Sequence, residues 1–459
     1  VQKMHTNYTI LSVLFFLAFL VCEPLRPEIL VILADRTLPA WPIFTGFRLL
    51  FLMASASLFY LALPESEATL RRMVPVPTRG LDPLLSLRAY ACMLVIAGHA
   101  LAVVFVPSGM PERLERSNPI WLLMGSPWAG VWIFFVLSGY LMGKGFYSGR
   151  YMHSRESVRK FYWNRAMRIV PMYYAVLLIV SVLVDPQIYT ANHLWEIAAL
   201  ATFSLHLEAP TPVISALWSI QTEMAFYAMA PLLIFVLTNI ARVLPPWLLI
   251  AMIAALGFAY RWWVLAETQN LGWLSRVYVP LIANIDLFMI GILANWIVPG
   301  ASRILNRTPT LPIGLAIMSL SYIVSAYVFV QASYGSDHAT FSWYAQNVGP
   351  TFTASIALSC ILLFESHVAS GKTGGPVSRR AIRLSQFTGV LSYALYIWHE
   401  PVLLRLRTVA AKDLTTWEAI AAGIVAVALS ITIAFFAFRL IEAPFEKRKR
   451  DTSSRMIAT

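Results

Sequence analysis

This chain predicts an all-α, polytopic membrane bundle. Three observations carry that prediction. Charged residues make up 13% of the 459 residues, against about 25% in an ordinary soluble protein. Hydrophobic residues make up 58%, the mean hydropathy is +0.67, and many stretches reach the roughly 20 apolar residues that cross a bilayer as helix. No run of alternating ten-residue segments is evident, which excludes a membrane β-barrel. The net charge of +12 is not a nucleic-acid signal. The basic residues gather in a few loops, as the positive-inside rule demands of a protein whose partner is the lipid bilayer.

The elements follow in order. The run 4–22 has the length of a signal peptide but lacks a small-residue cleavage site, so it reads as an uncleaved first span. Pro24 and Pro27 break the chain after it. A second span follows at 41–63. Residues 64–84, with Pro64, Pro75, Pro77, Gly80 and Pro83, form a cytoplasmic linker. Ten further spans are expected at 85–106, 127–147, 167–184, 215–238, 247–265, 279–298, 311–332, 344–366, 387–406 and 419–441. The short apolar stretch 194–207 is ambiguous by length alone, and charge parity decides it. The loops 148–168 and 367–386 and the tail after residue 442 are all basic, so all three belong on one side. They do so only if 194–207 does not cross. The expected organisation is therefore a two-helix segment (1–63), the linker (64–84), a ten-helix membrane core (85–441) and a basic tail (442–459), twelve spans with both termini cytoplasmic. Cys22, Cys92 and Cys360 have neither disulfide-framework nor metal-site spacing, and no metal is expected.

Ionisable residues inside spans are expensive and mark function by default. Arg88 and His99 are eleven residues apart in one apolar run. Eleven steps of roughly 100° return to nearly the same helix face, about 16 Å along the axis. Glu223 and His399 lie in two other spans, and all three of His99, Glu223 and His399 count out to a similar depth. Ser219, Glu223 and Tyr227 share one helix face; Ser392, Tyr396 and His399 share another. Arg165 and Arg168, spaced i, i+3, sit at the cytoplasmic start of a span. Arginine there suits bidentate phosphate binding, or simple anchoring.

Six motifs in order then resemble the membrane acyltransferase 3 family of O-acyltransferases. They are Arg88-x10-His99, Phe134-Phe-Val-Leu-Ser138-Gly139-Tyr140-Leu141, Arg165-x-x-Arg168-Ile-x-Pro171-x-Tyr173, Trp218-Ser219-x3-Glu223-x2-Phe226-Tyr227, Ser392-Tyr393-x2-Tyr396-x2-His399-x-Pro401 and Glu442-x-Pro444. The sequence reads Leu85-Ser86-Leu87-Arg88-Ala89 where the family often has Asp-Gly-Leu-Arg-Gly. The expected type is a stand-alone one, with no fused soluble esterase-like domain after the last span.

The resemblance implies transfer of an acyl group, commonly acetyl, from cytoplasmic acyl-CoA. The implied acceptor is a hydroxyl on an extracytoplasmic glycan, a lipid-linked saccharide or a macrolide, and the implied location is the bacterial inner membrane. It implies His99 as general base, with an acyl-histidine as the variant, and Glu223 or His399 orienting it or the acceptor. Arg88, Arg165 and Arg168 are implied to hold the CoA end, and Ser138, Trp218, Tyr227, Ser392 and Tyr396 to contact substrate. The chemistry agrees, because a hydroxyl needs a base and histidine titrates near neutrality. A proton-coupled transporter is the alternative, since intramembrane His, Glu and Arg also build proton relays. An idle assembly subunit of an export complex is a third reading.

Overall fold

The computed structural model describes residues 82–105, 119–180, 194–204, 216–268, 274–334, 338–372, 376–407 and 414–445. Both N-terminal spans and nearly all of the linker and tail lie outside them. Every described element is helical: α1 (Pro83–Phe105), α2 (Pro127–Tyr147), α3 (Arg155–Ile179), α4 (Leu194–Ala201), α5 (Leu217–Ile240), α6 (Pro246–Thr268), α7 (Leu281–Ile304), α8 (Thr310–Tyr334), α9 (His338–Asn347), α10 (Gly349–Ala369), α11 (Pro376–Arg407) and α12 (Thr416–Ala437).

Eight of the described helical segments are long and apolar enough to cross a membrane. Helices α3 and α11 add two of similar length that carry basic extensions. Arg155–Lys160 opens α3, twelve residues before the expected span, and Arg379–Arg383 lies near the start of α11. Lys and Arg are good helix formers, so these helices run past the apolar segment that hydropathy detects. Helix α4 has eight residues, about 12 Å at 1.5 Å each. That is shorter than the hydrocarbon core of a bilayer, and the residues on either side, 181–193 and 205–215, lie outside the described residues. Helix α9 begins at His338, between the expected spans 311–332 and 344–366.

Sequence explains the helix starts. Ser126 caps α2 by accepting the Ala129 N–H, with Pro127 at the first helical position. Thr415 and Glu418 form a reciprocal capping box at α12. Helices α2 and α7 form the centre and pack closely against each other. Gly139 faces the Phe288 carbonyl and Gly291 faces the Val136 carbonyl; a Cβ at either position would collide with backbone. Small residues that let backbones approach are how helices associate without a hydrophobic drive between them. Helices α6 and α8 are peripheral and expose Leu256, Trp262, Trp263, Leu320 and Ile323, which suits lipid as the surrounding solvent.

Candidate functional site

The site is a column through the bundle between α1, α2, α3, α5 and α11. Its inner layer holds Arg88 of α1, Ser138 of α2, Arg165 and Arg168 of α3, and Glu223 and Tyr227 of α5, around a cavity of about 480 Å³. Ser138 donates to Glu223 Oε1 at 2.5 Å, Tyr227 also donates to Glu223, and the Ser138 and Tyr227 hydroxyls lie 2.8 Å apart. The Arg165 guanidinium lies over the Tyr227 ring, 5.8 Å from its centroid, and its Nε is buried without a hydrogen-bond partner. Arg88 lies within electrostatic range of Arg168, Glu223 and Glu442. Three arginines thus meet two glutamates.

The middle layer is a cavity of about 450 Å³ that shares Arg88, Phe134, Glu223 and Tyr393 with the inner one. Ser219 and Tyr396 line it and bond hydroxyl to hydroxyl at 2.6 Å. Ser392 lines it with its Oγ buried and unpartnered. Tyr393 donates to the Ile169 carbonyl at 2.8 Å, tying α11 to α3. Trp218 packs on Tyr278 at 4.5 Å and edge-to-face on Phe135 at 6.2 Å, behind the cavity wall.

The outer layer is the histidine pair. His99 Nδ1 lies 2.9 Å from His399 Nε2, with the rings 2° from parallel. His399 Nδ1 lies 2.5 Å from the Tyr396 carbonyl. A carbonyl only accepts, so His399 Nδ1 carries a hydrogen. With both rings neutral, His399 Nε2 must then accept, His99 Nδ1 must donate, and the lone pair falls on His99 Nε2. Neither histidine lines the two cavities; Tyr396 joins them, its ring in the cavity wall and 5.6 Å from the His399 ring.

Of the two candidate partners, His399 contacts His99 and Glu223 does not. One expectation changes. Glu223 does not share the histidines' depth. Its partner Ser138 lies eleven residues into α2, about 16 Å by helix rise. The start of α2 lies beside Gly98, where a Cβ would sit 2.7 Å from the Pro127 ring. Counting residues from a hydropathy boundary misplaces α5, because the Ser219–Tyr396 contact sets its axial register. Sequence reading placed Tyr393, Phe134 and Glu442 in its motifs but gave them no role in the site; Glu442 is buried at 4% exposure. The Glu442-x-Pro444 motif was the available signal. The buried pair of Arg261 and Asp286 went unnoticed as well. Arg261 donates to Asp286 Oδ1 at 3.1 Å and Oδ2 at 2.9 Å, to Ala283 O and to Thr351. Among the described residues no cluster could hold a metal ion.

Comparison with known proteins adds an independent line. The chain is 26% identical over 337 residues to the peptidoglycan O-acetyltransferase OatA of Listeria monocytogenes, covering 69% of this chain and 51% of that protein. It is 22% identical over 350 residues to the O-acetyltransferase OatA of Staphylococcus aureus, covering 72% of this chain and 54% of that one. It therefore spans about half the length of the curated relatives it matches. No solved structure matches. The acyltransferase 3 family model, described as an acyltransferase domain, matches residues 84–436, a stretch that contains every layer of the column except Glu442, and the chain belongs to that family of acyltransferases.

Proposed function

We propose that this chain is an integral membrane O-acyltransferase that moves an acetyl group from acyl-CoA at the basic inner face to a hydroxyl of an extracytoplasmic glycan, in a bacterial inner membrane. The observation that carries the reading is the histidine pair in line with the arginine-lined cavity. Its tautomer chain leaves a basic lone pair on His99 Nε2.

The donor's phosphates lie against Arg88, Arg165 and Arg168, whose charge exceeds that of Glu223 and Glu442. Its pantetheine arm runs outward past Tyr227, Ser392 and Tyr396 toward the histidines. His99 Nε2 takes the acceptor hydroxyl's proton as the oxygen attacks the thioester carbonyl. The new C–O bond forms and the C–S bond breaks. The proton then passes from the imidazolium to the departing thiolate, giving CoA thiol and the ester. His399 holds His99 in the required tautomer and shares its positive charge, in the way a third group orients the base of a catalytic triad. The acetyl preference and the glycan acceptor rest on the O-acetyltransferase relatives.

The test offers purified protein radiolabelled acetyl-CoA and a soluble saccharide. Label on the saccharide, absent with His99→Ala, supports the reading. A protein that neither binds nor consumes acetyl-CoA refutes it and leaves the proton-coupled transporter.

A further inference from the structure

Helix α5 starts on an alanine. Ala216 holds the capping position and offers no side-chain cap, so the first N–H groups of α5 need partners from elsewhere. In a capping box the residue three further on is a glutamate that reaches back to the cap N–H, as Glu418 does at α12. In α5 that position is Ser219, whose hydroxyl is paired with Tyr396 at 2.6 Å. The carboxylate comes instead from α11. Glu400 Oε2 accepts the Ala216 N–H at 2.5 Å, across 184 residues of sequence. Negative charge is favoured there, because the helix dipole adds to the attraction of the unpaired donors.

Glu400 directly follows His399. The two contacts between α5 and α11, Ala216 with Glu400 and Ser219 with Tyr396, therefore bracket His399 within one turn of α11. The bracket matters because Pro401 comes next, inside the helix. Proline has no N–H for the carbonyl four residues back, and its ring crowds that turn. The helical ladder is thus weakest at the turn that carries His399. The start of α5 can hold that turn, being anchored on two other sides. Gln221 donates to the Tyr173 hydroxyl of α3 at 3.1 Å, and Thr222 donates to the Val279 carbonyl at 2.7 Å. Gln221 and Thr222 are both fully buried.

We propose that Glu400 is a positioning residue for acyl transfer. By capping α5 from α11 it sets the height and rotation of His399, the ring that holds His99 in its basic tautomer. Glu400 lines neither cavity of the column, which separates it from the side chains that bind the donor. Its part is played by an acceptor oxygen at the right place, so glutamine can stand in for it. The proposal rests on the acyl-transfer reading.

The experiment uses full-length protein in nanodiscs and compares Glu400→Ala, Glu400→Gln, His399→Ala and the double variant Glu400→Ala with His399→Ala. Glu400→Ala should lower kcat about ten- to a hundredfold, the scale of a misplacement of about 1 Å. Its KM for acetyl-CoA should hold, which also shows that it folds. Its pH–rate profile should move in the same direction as that of His399→Ala. Glu400→Gln should recover most of the lost kcat. In the His399→Ala background Glu400→Ala should add no further loss, because a residue that acts through another is silent once that other is gone. Unchanged kcat in Glu400→Ala overturns the proposal. Additive losses in the double variant do so too, since they mark a merely structural cap. So does a Glu400→Gln variant as slow as Glu400→Ala, which marks a charge acting directly. Protein carrying ¹⁵N-histidine gives a readout independent of turnover. The ring-nitrogen resonances lost in His99→Ala and His399→Ala identify the pair. They should shift in Glu400→Ala and return in Glu400→Gln, and resonances unmoved by Glu400→Ala overturn the proposal. If wild type transfers no acetyl group while the resonances behave as expected, the acyl-transfer reading fails and the positioning of the histidine pair stands.

Discussion

At the residue scale, His99 and His399 divide one task. His99→Ala removes the base and should lower kcat by about 10²–10⁴-fold, the usual yield of general acid–base catalysis, with acetyl-CoA affinity unchanged. A kcat within a few-fold of wild type would dismiss His99 as base. His399→Ala leaves His99 free to adopt the wrong tautomer and should cost less. Its pH–rate profile should shift while KM for the donor holds. Arg165→Ala and Arg168→Ala should act oppositely, weakening acetyl-CoA binding by about ten- to a hundredfold, the loss of one charged hydrogen bond. Rising salt should narrow the difference, since phosphate contacts near the aqueous face are screened. Isothermal titration in detergent checks both. Unchanged affinity in both variants would return these arginines to topology anchors. The residue types and spacings of Arg88, His99, Arg165, Arg168, Glu223 and His399 were legible in the chain. That His399 rather than Glu223 partners His99 was not, because 300 residues separate the two rings.

At the element scale, helix packing carries its own predictions. Arg261 and Asp286 are 1% and 5% exposed and pair through both carboxylate oxygens. Arg261→Met strands a buried carboxylate and should destabilise the fold by about 3–5 kcal/mol. The double change Arg261→Met with Asp286→Leu should recover most of that, since apolar replacement of a buried pair is often neutral. Unfolding in mixed micelles measures it, and a double variant no better than the single one would argue against a desolvation origin. Gly139→Leu should separate α2 from α7 at the Phe288 carbonyl and lower stability more than Leu would on exposed α6. Existence and order of the long helices were readable from apolar runs of about 20 residues. Their ends were not. Hydropathy stops where charge begins, whereas helix α3 continues through Arg155–Lys160 because backbone hydrogen bonding is indifferent to that boundary.

At the scale of the whole molecule, sidedness is the property to test. The loop 148–154, the loop after α10 and the residues beyond α12 should share one face, and α4 should not cross. Single cysteines at Ser148 and Ser370, treated with an impermeant maleimide on intact cells, should stay unlabelled until the membrane is opened. External labelling at Ser370 alone would mean that one crossing has been miscounted.

The chain by itself determined that this protein is a helical membrane bundle, which residues carry charge inside it, and which family its motifs resemble. Those properties are local: burial cost per residue, helical period and spacing within a segment. The tertiary structure alone decided that the inner arginines, the hydroxyl-lined cavity and the histidine pair stack as three layers. It also decided that Glu223 belongs with Arg88 and that Glu442 returns to the same charge cluster. Each depends on the axial register between helices far apart in sequence. That register is set by glycine contacts such as Gly98 against Pro127 and by hydroxyl pairs such as Ser219 with Tyr396, not by the hydropathy of either helix.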